Sequence, residues 1–216
     1  MLKLRFIHVL AGSLALATFA SAKELPVKGI IPDPPSICDA VAGNLVTNCG
    51  FELGLSGWTE TGNNTFTFAA PMPGIDPNSG SDYASLGNET EAFISQTLVT
   101  VPGQAYNVSW YLEVGEVGGA SGPNDLHVTW GGAPVYSATD LSFTTSYKQY
   151  SFTEIAPSTS TVLKFGSTDV PDYLFLDDVV VNAVPEPGYF AAAGLGLLAL
   201  LFADKRRRAS AGVSSL

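Results

Sequence analysis

Positive charge is almost absent from the middle of this 216-residue chain. Between residues 23 and 183 the only cations are Lys23, Lys28, Lys148 and Lys164. They stand against 18 Asp and Glu, so the formal charge of that stretch is 4 − 18 = −14. A body this acidic repels nucleic acid and anionic lipid headgroups, and it offers carboxylates to cations such as calcium. Histidine is nearly missing too: His127 is the only one beyond His8. A Ser-His-Asp arrangement would need partners that no motif here supplies. Glu113 with Glu116, and Asp177 with Asp178, are neighbours in sequence. That says nothing about the facing pair of carboxylates a glycosidase needs across a cleft. No long helical periodicity runs between the chain's two ends. Abundant Val, Thr, Tyr, Phe, Ser and Gly is instead the composition of strands joined by turns.

What is present begins with the two ends. Lys3 and Arg5 precede an apolar run over residues 6–19, and Ala20-Ser21-Ala22 supplies the small-x-small pattern of a cleavable secretory signal peptide, residues 1–22. At the other end stand Val184-Pro185-Glu186-Pro187, an apolar stretch over residues 188–203, and the cations Lys205, Arg206, Arg207 and Arg208, followed by a short tail, residues 209–216. The apolar stretch is shorter than the roughly 20 residues that span a bilayer comfortably. The cations after it would hold that end in the cytoplasm. This three-part ending, residues 184–208, resembles the PEP-CTERM sorting signal of bacterial exported proteins. The resemblance implies processing by an exosortase near Pro185-Glu186-Pro187. It also implies a transient anchor in the inner membrane and delivery to the cell surface or beyond. An ordinary tail-anchored protein with a chance Pro-Glu-Pro is the alternative.

An exported chain permits disulfides, and Cys38 and Cys49 are its only cysteines. A bridge between them would close a loop of about a dozen residues, add on the order of 3 kcal/mol, and pin the Pro-rich leader, residues 23–43, to the first strand. Two free thiols or a metal pair are the alternatives, and no nearby His or further Cys supports a metal.

Residues 44–183 read as one domain of about ten short strands. The first is expected at residues 44–48. Others follow at residues 66–69, 83–86, 92–101 and 105–114, and a hairpin closes on Gly131-Gly132. The last three lie at residues 147–153, 161–165 and 173–181. Residues 105–114 alternate most clearly: Tyr106, Val108, Trp110, Leu112 and Val114 share one face, with Asn107, Ser109, Tyr111 and Glu113 on the other. Short strands separated by turns predict an all-β, antiparallel β-sandwich. The stretch Asn44-Leu45-Val46-Thr47-Asn48-x-Gly50-Phe51-Glu52 with Gly57-Trp58, the strand Gln96-Thr97-Leu98 and the closing Phe175-Leu176-Asp177-Asp178-Val179 resemble the galactose-binding-like jelly roll shared by several carbohydrate-binding modules. Cys49 departs from that pattern, which commonly has a small residue there.

The same resemblance implies a structural calcium site built from Glu52 and Asp177, with Asp178 and backbone carbonyls, where the first and last strands meet. Such hard oxygen ligands suit calcium. Solvated carboxylates at strand ends are the plainer alternative. A sugar needs an aromatic face and a few polar groups. Tyr111, Trp130 and Tyr83 are the candidates, with His127 beside them, while Trp58 and Trp110 read as core. The expectation is a non-enzymatic, exported surface protein whose jelly roll associates with exopolysaccharide. A purely structural matrix protein and a small polysaccharide hydrolase are the alternatives.

Overall fold

The structure, a computed structural model, describes residues 34–115 and 124–185 together with the single positions 188, 195 and 202. Among the described residues no helix is long and apolar enough to cross a membrane. The signal-peptide residues 1–22, Glu186, Pro187 and Arg206 to Arg208 lie outside the described residues.

Among the described residues eleven strands follow a short 3-10 turn at Ile37–Ala40. They are β1 (Glu52–Leu55), β2 (Thr59–Gly62), β3 (Thr67–Ala69), β4 (Ala84–Leu86), β5 (Ala92–Val99), β6 (Ala105–Val114), β7 (Asn124–Trp130), β8 (Ala133–Thr139), β9 (Lys148–Ile155), β10 (Ser160–Asp169) and β11 (Leu174–Ala183). Ten of them form two five-stranded sheets, ordered β2-β5-β10-β7-β8 and β3-β4-β11-β6-β9. Every pairing within the sheets is antiparallel.

Period-two alternation decides which residues lie between the sheets. Val108, Trp110, Leu112 and Val114 of β6 meet Leu126, Val128 and Trp130 of β7 and Leu163 and Phe165 of β10 in one apolar core. Trp110 sits at its centre, stacked on Tyr150 and Phe152 and edge-on to Phe165 and Tyr136. Such pairs add specific orientation to the area they bury.

The stretch expected to be a first strand, residues 44–48, is not one. Asn48 and Phe51 have φ of 49° and 62°, so the chain turns where a ladder would have to continue. It nevertheless lies where the resemblance puts it. Leu45 N donates to Val181 O at 2.8 Å and Val179 N to Cys49 O at 2.9 Å. The leader thus fills the edge of β11 beyond the short β4. Cys38 and Cys49 are joined by a disulfide and buried, so the segment is sealed into the domain from Ser36 onward.

Candidate functional site

Strand β11 is the central strand of its sheet and carries Asp177 and Asp178. Its ladder with β6 shifts register between Asp177 and Val180, and Asp178 takes a left-handed φ of 48°. Leu174 and Leu176 face the core before this bulge, and Val179 and Val181 after it. One extra residue therefore changes the parity of the strand and keeps both carboxylates out of the apolar interior.

Both acids are nevertheless covered, by the leader and by the loop ahead of β4. Asp178 Oδ1 accepts from Cys38 N and from Ser79 Oγ, and its Oδ2 accepts from Asn78 Nδ2 at 2.6 Å. Asp177 Oδ1 accepts from the Asp178 N–H and its Oδ2 from the Ser79 N–H. Burial, then the neighbouring Asp178, pushes the Asp177 carboxyl up to about 8. Glu52 accepts from the Ser36 hydroxyl and from the N–H groups of Ser81 and Asp82. Glycine is required on both sides of this cradle. A Cβ at Gly80 would fall on Glu52 Oε1, and one at Gly50 would fall on Ser36 Oγ, with Asp177 Oδ1 3.6 Å away. The three acids do not gather three oxygens around one point. The only group of three potential ligands that close together among the described residues is Cys38, Asp39 and Cys49, whose sulfurs are spent on the disulfide.

The outer face of the same sheet is polar. Half-buried Tyr111 stands directly across from Gln149 of β9 on one side and from Asp177 on the other. Half-buried Asn107 accepts from Ser151 Oγ beside it. At one end this face deepens into a cavity of about 380 Å³ whose wall includes Asp76, Asn78, Glu113 and Tyr147. Burial, then Asp76, holds the Glu113 carboxyl above its usual range. The Tyr147 hydroxyl is buried without a hydrogen-bond partner. Its pKa is driven well upward, first by burial and then by the charges of Asp177 and Glu113.

Two of the three aromatics proposed for ligand contact are interior. Trp130 is 2 % exposed and its indole N–H donates to Ile155 O. Tyr83 is 0 % exposed, and its hydroxyl accepts from Met72 N while its ring meets Phe175 edge-on. Neither offers a free ring face. His127 lies on the outside of the other sheet against Ser137, and Tyr111 belongs to the opposite sheet. Val184 is fixed to the domain by bonds to Ala105 and Gln104, and Pro185 is exposed just beyond it. Asp76, Asn78, Gln149 and Tyr147 were not singled out in sequence. Asp76 and Asn78 sit in a Pro/Gly/Asn loop with no periodic signal, and only tertiary folding brings that loop over the sheet.

No known family and no curated protein matches the chain. Solved structures do resemble it. TmCBM61, determined in complex with β-1,4-galactotriose, aligns with a TM-score of 0.50 and 20 % identity over 65 % of this chain and 99 % of that one. A cyclase from Fischerella sp. TAU aligns with a TM-score of 0.50 and 15 % identity over 67 % of this chain and 98 % of that one. The CBM22-1 xylan-binding domain from Paenibacillus barcinonensis Xyn10C reaches 0.46 with 19 % identity over 63 % and 92 %. At these identities the likeness is one of fold, and a binding module and a cyclase share it. The domain is an all-β antiparallel two-sheet sandwich of the jelly-roll type found in carbohydrate-binding modules.

Proposed function

We propose that this chain is an exported bacterial surface or extracellular protein whose jelly roll binds exopolysaccharide without catalysis. In this reading a PEP-CTERM signal at residues 184–208, cut by an exosortase, sorts it. The observation that carries the binding half is the outer face of the β3-β4-β11-β6-β9 sheet. There Tyr111 presents a half-buried ring beside Gln149, with Asn107 and Ser151 farther along the same face, and Glu113, two residues on, lines the cavity together with Asn78. An aromatic ring with hydrogen-bonding groups around it suits the apolar face and hydroxyls of a pyranose. The fold likeness to TmCBM61, solved with β-1,4-galactotriose, supports polysaccharide as the first ligand class to test. The secretory pattern and the Cys38–Cys49 bridge support export.

Structural calcium belongs to the same proposal. Glu52 and Asp177 approach a common spot at Gly50 and Ser36. Their oxygens are hard ligands, and the only lysines among the described residues lie elsewhere: Lys148 is exposed on β9 and Lys164 sits over Phe93. Calcium there would neutralise the buried Asp177 and join the first and last strands, while Asp178 stays with Ser79 and Asn78.

Affinity electrophoresis of the oxidised protein against a panel of polysaccharides, with calcium and with chelator, tests this. Retardation by one glycan that Tyr111→Ala abolishes is the expected result. No retardation of folded protein by any glycan would leave the structural matrix protein as the reading. A hydrolase has one observation in its favour: Asp76 and Glu113 line one cavity and Glu113 holds its proton more tightly than usual. Glycan release that Glu113→Gln removes, with retardation kept, would decide for it.

A further inference from the structure

Asp169 ends β10 and Asn124 begins β7, and the two are direct partners in the antiparallel ladder. Asp169 has the parity of Leu163 and Phe165, and Asn124 that of Leu126 and Val128, so both side chains turn toward the space between the sheets. Direct partners of this kind have Cβ atoms roughly 4.5–5.5 Å apart. Asp169 is 1 % exposed and Asn124 is 6 % exposed. Asn124 Nδ2 donates to Leu141 O at 2.9 Å, which fixes the amide and leaves its oxygen as an acceptor. Among the described residues neither Asn124 Oδ1 nor Asp169 Oδ2 has a hydrogen-bond partner, although both are sealed from solvent.

The described cations point elsewhere. Lys164 shares β10 with Asp169 but has the opposite parity and sits over Phe93. His127 is outside against Ser137, and Lys148 belongs to the other sheet. The remaining titratable groups around the pair are acidic or phenolic. Glu89 and Tyr173 line a cavity of about 190 Å³ together with Asp169, and Asp172 accepts from the Tyr173 N–H at 2.8 Å. Exposed Asp140 follows β8, while Asp125 faces outward across from Thr168, and Glu91 lies against Gly166 on that outer side. Two buried acceptors facing each other are costly, because each has lost its water. One proton removes the mismatch: a carboxylic acid donates through its O–H and the amide oxygen accepts. A bridging water could donate to both oxygens, but it would leave a buried ionised carboxylate without a cation.

We propose that Asp169 keeps its proton in the folded chain and donates it to Asn124 Oδ1, a pH-sensitive clasp between β10 and β7. The clasp reaches the exit of β8, because Asn124 also holds Leu141 through its amide and the Asp140 N–H through its carbonyl. Burial, then Asp172, pushes the Asp169 carboxyl up to about 7, in agreement with this geometry. The folded value lies above the unfolded one near 4, so the folded state binds the proton more tightly. The clasp's stabilisation is therefore full below pH 4 and is lost as pH rises toward 7. Above that the ionised carboxylate faces the amide oxygen, and this end of the sandwich loosens.

Carboxyl carbon chemical shifts of the uniformly 13C-labelled full chain, followed from pH 5 to pH 9, give the direct test. The Asp169 side-chain carbon is expected at its protonated position at pH 5, with a midpoint near 7. A carboxyl already ionised at pH 5 overturns the proposal and leaves a bridging water in its place. Asp169→Asn supplies a second reading, since the amide donates an N–H to Asn124 at every pH. Its Tm relative to the unaltered chain should rise steadily between pH 5 and pH 8. A difference that stays constant with pH overturns the clasp. Should that variant not fold, the carbon titration of the unaltered chain decides alone.

Discussion

Tyr111 and Trp130 are both aromatic strand residues, and the direction of the side chain separates them. Trp130 is sealed between the sheets and tilted against Tyr106, so Trp130→Ala should cost about 3–5 kcal/mol in chemical denaturation. Tyr111→Ala leaves the core intact. It should change stability far less while removing glycan retardation in the same protein. The alternation that puts Leu126, Val128 and Trp130 on one face already contains this answer for Trp130. For Tyr83 no local pattern does, because the loop that covers it comes from residues before it in the chain. Interior position also shows in proton affinity. Burial, then Tyr150, raises the Tyr136 phenol to about 12, and burial raises Tyr83 and Tyr147 too. A phenol whose folded pKa is raised contributes stability present below its unfolded value near 10, and that contribution is lost as pH climbs toward 12. Ultraviolet titration of the eight tyrosines should therefore show a late fraction that ionises only together with unfolding. Smooth ionisation of all eight near pH 10 in a folded protein would contradict the burial.

Among the elements, the leader and β11 depend on each other. Asn44 accepts from Val181 N and donates to Val179 O, and the disulfide closes the segment behind it. Replacing Cys38 and Cys49 by serine should lower stability by about 3 kcal/mol, because the reduced unfolded chain regains the freedom of that loop. Measured denaturant midpoints with and without reductant check this. Sequence favoured the bridge from the export signal and from the lack of other ligands. It could not give the bridge's place against the last strand. The predicted strand at residues 44–48 failed for a specific reason. Asn44 to Val46 have the composition of a strand, and what stops one is the backbone at Asn48 and Phe51, in a conformation that a bulky aromatic gives no reason to expect. The bulge at Asp177 and Asp178 was equally hidden, since two adjacent acids read the same whether or not the strand skips a residue. Long alternating strands such as β6 were legible because one face meets the core and the other does not.

At the scale of the whole molecule, strand number and turn spacing were enough for a sandwich, whereas the order of strands within each sheet was not. That order depends on which apolar faces find each other across long stretches of chain, and β5 pairs with β10 although four other strands, β6 to β9, lie between them in sequence. It nonetheless decides how the domain would bear a pull. β11 runs between β6 and, in turn, β4 and the leader, and ends at Ala183, with Val184 just beyond it still hydrogen-bonded to Ala105 and Gln104. In a chain held at its C-terminal end, tension enters along this strand, at right angles to its hydrogen bonds. The bonds are then loaded in parallel and must break together, as in shear, rather than one after another as in unzipping. Pulling single molecules from that end should give a higher rupture force than pulling across the short edge strand β2. Equal forces would mean that the central strand does not carry the load.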